Sequence, residues 1–390
     1  MLYCEGNNFR ISEDGNMNKN EEITLDVLDY EVLGALPKLL LKENGKRVRD
    51  ASDWEARRKE LYKTAVELQY GTMPPSPEFL DVDLLYQGKK WATYRITSGR
   101  KARPVSFIMR VAKPQNAEGQ FPVIVDGDRC FDYFCNDEFV NLPLENGIGW
   151  AIFDRTEIAP DNKDAGRKAP LYEAYPEYTF GAIGAWAWGY SRCVDALLKL
   201  DLIDPDGITF TGHSRGAKTA MLAGILDTRA SIVNPHQTCS GSCSCYRIRM
   251  EAINDQGIRK RSEMLADLMA NFGFWMGQGM HDYANDPAKL PFDAHFVKAM
   301  IAPRTLLVSE GAHDIWANPL GSWMTTMAAK EVFDFLGVEE NLLWYFRDGA
   351  HLHSVFDLSM LVNLILHKRN GAPLSDFFFR RPFKAPDLIF

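Results

Sequence analysis

The chain has 390 residues, with 44 Lys+Arg against 52 Asp+Glu and a formal net charge of −8. Hydrophobic residues make up 46% and charged residues 25%, a mix that excludes disordered, collagen-like and low-complexity proteins. The acidic balance excludes nucleic acid as a partner, since that needs a basic footprint, and no uncharged apolar run nears the roughly 18 residues of a membrane helix.

Residues 1–22 are polar and Asn- and Glu-rich, which predicts a frayed start. They lack the basic start and apolar core of a secretion signal, so the expectation is a cytoplasmic protein, or a secreted one whose signal has been removed. Residues 54–68, WEARRKELYKTAVEL, space their apolar side chains at helical intervals, closed by Gly71 and the Pro74-Pro75 pair. Beyond them short β-branched runs predict buried strands at 105–112, 121–128, 149–156, 207–214, 230–235, 304–311 and 341–347. Amphipathic helices are predicted at 187–200, 215–226, 323–337 and 356–369. Strands alternating with helices imply an α/β protein, a mostly parallel sheet sandwiched between two helical layers. The expected organisation is an N-terminal segment, 1–75, wrapped on a domain at 76–390. An insertion around 247–292, rich in Met, Asp and Asn, is longer than a simple crossover needs.

Seven cysteines cannot all pair within the chain. Cys239, Cys243 and Cys245 cluster in TCSGSCSCYR. Without paired C-x-x-C spacing they read as free thiols in a small-residue loop rather than a metal centre, and as a sign of a reducing compartment.

The sharpest chemical signal is Gly212-His213-Ser214-Arg215-Gly216, a G-x-S-x-G turn between a predicted strand and a predicted helix. Such a turn exposes the serine, and its glycines let the backbone close without Cβ clashes. The helix start favours negative charge at the reacting carbonyl. The Arg215 amide would then be one oxyanion donor.

A nucleophilic serine needs a base, then an acid to orient it, in the chain order Ser, acid, His. His351 and His353 lie in DGAHLHS, between the strand at 341–347 and the last helix; chemistry alone leaves the choice open. Asp314 follows the strand at 304–311 and is the leading acid, ahead of Glu310 at that strand's tip and of Asp357 beyond the base.

Residues 212–218, GHSRGAK, resemble the GxSRxGK signature of glucuronoyl esterases, carbohydrate esterase family fifteen. Further blocks resemble that family in order: Asp53-Trp54 with Arg57-Arg58, Tyr70-Gly71 with Pro74-Pro75, GWAIFDRTEIAPD, GAIGAWAWGYSR, LPFDAHFVKAMIAPR and DIWANPLGS. The resemblance implies an α/β-hydrolase fold and hydrolysis of the ester joining 4-O-methyl-glucuronate on xylan to lignin alcohols, with no metal and no organic cofactor. It implies Ser214 as nucleophile, Arg215 as a helper at the oxyanion, and Lys218 and Trp316 at the sugar. It implies His353 as base, with His351 in reserve. Its usual triad glutamate corresponds to Gln237 here, and Asp314 matches the aspartate some bacterial members carry one strand later. The cysteines that secreted fungal members bridge beside the nucleophile and the base correspond to His213 and Ser354.

The leading function is therefore a serine esterase for a small-molecule or oligosaccharide uronate ester. The alternatives are an acetyl or other small-acyl carbohydrate esterase and a catalytically silent carbohydrate-binding relative. Trp186 and Trp188 could form a sugar platform, although core packing is the favoured expectation.

Overall fold

The computed structural model describes residues 27–114, 117–254 and 256–380; the polar stretch 1–22, with Cys4, lies outside them. In chain order the strands are β1 (Val27–Val32), β2 (Phe79–Gln87), β3 (Trp91–Arg100), β4 (Arg103–Ala112), β5 (Phe121–Asp126), β6 (Gly149–Phe153), β7 (Ile203–His213), β8 (Ile232–His236), β9 (Ile248–Ile253), β10 (Arg259–Arg261), β11 (Thr305–Gly311) and β12 (Leu342–Arg347). Nine of them form one sheet in the order β12-β11-β8-β7-β5-β6-β4-β3-β2. From β6 through β12 the pairings are parallel; β4, β3 and β2 add an antiparallel wing.

Alternate residues of the parallel strands supply opposite cores, as a two-residue period requires. Ile124, Ile152, Leu307 and Leu343 face one core, shared with the helices Asp137–Glu145 and Val355–Asn370. Val123, Val125, Val308 and Leu342 face the other, under the helices Ala182–Lys199, Arg215–Leu226 and Pro319–Leu336. Burial on both faces makes these strands read as continuous apolar runs. The wing escaped the sequence analysis apart from β4, because β2 and β3 alternate polar with apolar residues. Along β2, Leu84 and Tyr86 are exposed.

The predicted first helix runs over Ala51–Leu61, with Asp50 capping its start, and continues as a π-helical stretch, Tyr62–Glu67. Its last turn ends at Gly71, where φ is +84° and a Cβ would lie 2.3 Å from the Thr179 carbonyl oxygen. The stretch 247–292 holds β9, β10, the helix Leu265–Phe272 and several 3-10 turns. β9 pairs antiparallel with both β1 and β10, which makes a separate three-stranded sheet.

Candidate active site

β7 ends at His213 and the next helix begins at Arg215, so Ser214 alone makes the turn. Its backbone sits at φ 59°, ψ −118°, a conformation costing a non-glycine residue of order 1–3 kcal/mol. The surroundings hold it there. The Ser214 N–H donates to the His236 carbonyl at 3.0 Å, and the His213 N–H donates to Asp128 Oδ2 at 2.7 Å. A Cβ on Gly212 would lie 2.5 Å from the Gly216 oxygen, and one on Gly216 would lie 2.1 Å from Asp128 Oδ1. Both glycines of the motif are therefore required by close approach. Asp128 is itself paired with Arg155, and both are buried. Breaking such a pair from one side costs about 3–5 kcal/mol, so the elbow rests on a firm support.

The two late histidines differ sharply. His351 is 38% exposed, and its Nδ1 is hydrogen bonded to Asp314 Oδ2 at 2.6 Å. Its ring lies 4.4 Å from that of His213, the neighbour of Ser214. His353, the base that the sequence resemblance favoured, is buried among Tyr133, Phe139 and His236, with ring centroids 5.0, 5.0 and 4.8 Å away. Its Nδ1 has no partner. Burial, then the His236 ring, pushes its pKa down to about 3. Of the two it is thus the reserve histidine that meets the acid.

The other carboxylates have different employment. Asp357 takes hydrogen bonds from Arg347 and Ser354 and caps the last helix. Glu310 is fully buried, bonded to the Ser322 hydroxyl and raised to about 8 by burial. Asp314 does cap a short 3-10 turn, accepting from the Ala317 N–H at 3.4 Å, but its other oxygen holds His351. Gln237, at the position of the missing glutamate, is buried and bonds both flanks of the histidine loop.

On the helix side, the Arg215 guanidinium pairs with Asp161 at 2.6 Å and lies 5.0 Å from the Trp275 ring centroid. The Trp275 indole N–H donates to the second Asp161 oxygen at 2.8 Å. Lys218 is buried, donates to the Thr238 carbonyl and lies 6.0 Å from the Trp275 ring. Glu263 sits close by, accepting from the Ser240 N–H. Burial raises its carboxyl to about 7, against the lowering pull of the Lys218 ammonium. The Glu263 N–H donates to the carbonyl of Trp316, whose side chain is 43% exposed. Sequence reasoning missed Asp128, Asp161, Glu263 and Trp275. The two aspartates had a trace, Asp128 at the end of the predicted strand 121–128 and Asp161 at the end of the block GWAIFDRTEIAPD, whereas Glu263 and Trp275 sit in the insertion with no local signature. Trp186 is core, its indole N–H donating to the Ala159 carbonyl at 2.7 Å.

The cysteines of the described residues are free thiols. One set of metal-type donors occurs among those residues: Cys239, Asp314 and His351, with one atom of each within 4.8 Å of the others. The Asp314–His351 hydrogen bond already occupies two of them, and burial pushes the Cys239 thiol well up. The donor chemistry therefore favours a proton over a cation.

A strained serine between strand and helix, at the C-terminal end of an interior strand of a mostly parallel sheet, with an Asp–His pair on the ends of later strands, defines an α/β-hydrolase. Comparison with known proteins narrows this. A family model described as glucuronyl esterase, fungi, matches residues 96–337. A 4-O-methyl-glucuronoyl methylesterase of Podospora anserina is 27% identical over 86% of this chain and 68% of its own. A carbohydrate esterase family 15 glucuronoyl esterase from Caldicellulosiruptor kristjansonii superposes with TM-score 0.80 at 28% identity, over 91% of this chain and 95% of that one. A mutant glucuronoyl esterase from Sporotrichum thermophile, in complex with methyl 4-O-methyl-beta-D-glucopyranuronate, shares the fold at TM-score 0.72 and 22% identity, over 92% and 93% of the two chains. The chain belongs to the glucuronoyl esterases, and so to the carboxylic ester hydrolases. The same relatives overturn the expected cytoplasmic location. The curated fungal ones among them are named for 4-O-methyl-glucuronoyl esters, groups of plant cell-wall xylan that an enzyme meets outside the cell.

Proposed function

We propose that the chain hydrolyses 4-O-methyl-glucuronate esters of xylan with Ser214 as nucleophile, His351 as base and Asp314 as the orienting acid. The 2.6 Å bond from Asp314 to an exposed His351 carries the assignment. With Nδ1 committed to the carboxylate, Nε2 is the ring nitrogen left to take the proton from Ser214. Ser214 Oγ attacks the ester carbonyl carbon while the oxyanion meets the start of the helix and Arg215. The alcohol leaves with the proton from His351, giving a glucuronoyl-serine. Water, deprotonated by the same nitrogen, then releases the free glucuronate and restores the serine.

His353 gives way in this scheme because a buried ring with its pKa near 3 cannot exchange protons with substrate at neutral pH. Lys218, Glu263 and Trp316 form the side we assign to the sugar: an ammonium and a carboxyl for hydroxyls and one exposed ring for an apolar sugar face. We take residues 76–390 as the catalytic domain, with the segment around 247–292 walling the sugar side and the described residues 27–75 of the N-terminal segment wrapped on the core.

The test is kcat/KM for benzyl glucuronate against p-nitrophenyl acetate, with fluorophosphonate labelling. Preference for the glucuronate, with Ser214→Ala losing turnover and label, is expected. Retention of more than a few per cent of hydrolysis by Ser214→Ala would end the proposal, and preference for the acetate would favour a small-acyl esterase. Lys218→Ala should cost about 10- to 100-fold on the glucuronate only, the weight of a charge-assisted hydrogen bond.

A further inference from the structure

We infer that Gln237 is a positioning residue whose side-chain amide clamps the loop carrying His351 to the turn carrying Ser214; the inference rests on the triad proposed above. Gln237 follows β8 directly and turns at φ +52°. Its Nε2 donates to the Ala350 carbonyl at 3.0 Å, and its Oε1 accepts from the Leu352 N–H at 2.9 Å. One planar amide therefore brackets His351, with a bond to the residue before it and a bond to the residue after it. The same Oε1 lies 3.0 Å from His213 Nε2, on the residue that precedes Ser214.

Elementary hydrogen-bond bookkeeping fixes the orientation of this amide. Flipped, it would set NH2 against the Leu352 N–H and oxygen against the Ala350 oxygen. With Oε1 facing His213, that ring must carry its proton on Nε2 and donate it. Burial, followed by the rings of His351, His236 and His353, lowers the His213 pKa well below the usual value, which keeps that neutral donor form.

The surrounding backbone makes room for the clamp. A Cβ on Gly311, at the end of β11 and just ahead of Asp314, would lie 2.4 Å from Gln237 Nε2 and 2.7 Å from the Gly349 oxygen. The amide thus sits where all three triad-bearing segments converge. The loop has independent support, because Arg347 donates to the carbonyls of Ala350 and Leu352 at 3.2 and 2.6 Å, and His236 Nε2 lies 3.0 Å from the latter. Loss of the amide should therefore loosen His351 without unfolding the domain. A glutamate at this position would have the same shape but no donor for the Ala350 carbonyl, and would set a charged oxygen against it. The neutral amide is the working group here, not the remnant of an acid.

The test is steady-state kinetics on benzyl glucuronate for Gln237→Ala and Gln237→Glu, with Asp314→Asn and the double variant Gln237→Glu/Asp314→Asn alongside. Small displacements of catalytic groups are costly, so we expect kcat to fall about tenfold in both single variants with KM nearly unchanged. Fluorophosphonate labelling of Ser214 should slow in parallel, and the double variant should be no faster than Asp314→Asn alone. A variant with a lowered melting temperature but unchanged kcat per folded molecule would overturn the inference, leaving Gln237 a purely structural group. Recovery of activity in the double variant would also overturn it, by showing that position 237 serves as an acid site. Failure of the underlying triad would appear separately, as an active Asp314→Asn enzyme.

Discussion

The rim of the sheet and the pocket just beneath it hold the same residue types in opposite settings. At the rim, His351 is open to solvent and bonded to Asp314. Beneath it, the rings of His353 and His236 lie tilted against each other, 4.8 Å apart. There His236 Nδ1 meets the Ser309 hydroxyl at 2.9 Å and Nε2 lies 3.4 Å from Asp357 Oδ2. That inner row has a hydroxyl, an imidazole and a carboxylate, the inventory of a triad, yet all three side chains are buried. Its polar groups satisfy one another, and no substrate can reach them. Residue types alone do not make a site; access and an unspent ring nitrogen do.

Removing the carboxylate at the rim is the strongest way to break this contrast. Asp314→Asn should lower kcat by about 10²–10⁴, since the amide neither enforces the right tautomer nor stabilises the imidazolium that forms. The 3-10 turn that Asp314 also caps should cost little, so the melting temperature should move far less than the rate. An active but unstable Asp314→Asn enzyme would reduce Asp314 to a capping residue.

A smaller effect sharpens the contrast from the inner side. His353 titrates near 3 in the folded chain, against about 6.5 in an unfolded one. Between those values the unfolded state binds the extra proton, so stability falls as pH drops below about 6.5, by at most about 1.4 kcal/mol per pH unit for this group. His353→Phe removes that share. Its urea midpoint should therefore decline less between pH 6.5 and pH 4 than that of the parent, and an unchanged decline would contradict the burial argument. His213, lowered in the same direction, remains in the variant and keeps part of the slope.

The legible part of the molecule was the part set by local pattern. Buried runs marked β5 to β8, β11 and β12, and the shift from strand to helix period at Gly212–Gly216 marked the elbow. Chain order led to Asp314. The choice between His351 and His353 was not legible, because it depends on Tyr133 and Phe139, remote in sequence, closing over one ring and not the other. Gln237 could be read only as a neutral residue where an acid was expected; its reach to Ala350 and Leu352 exists only once β8 and β12 lie in one sheet. Lys218 could be placed one turn beyond Ser214, but not its burial against Thr238 in the loop after β8 and near the Trp275 ring of the insertion.

The most direct test of the central claim is kcat/KM on benzyl glucuronate for His351→Ala beside His353→Phe. Nucleophile and base act as a unit, so His351→Ala should fall by about 10⁴ or more, as far as Ser214→Ala, while His353→Phe stays within about tenfold of the parent. An inert His353→Phe enzyme beside an active His351→Ala enzyme would contradict the account and return the base to the buried ring.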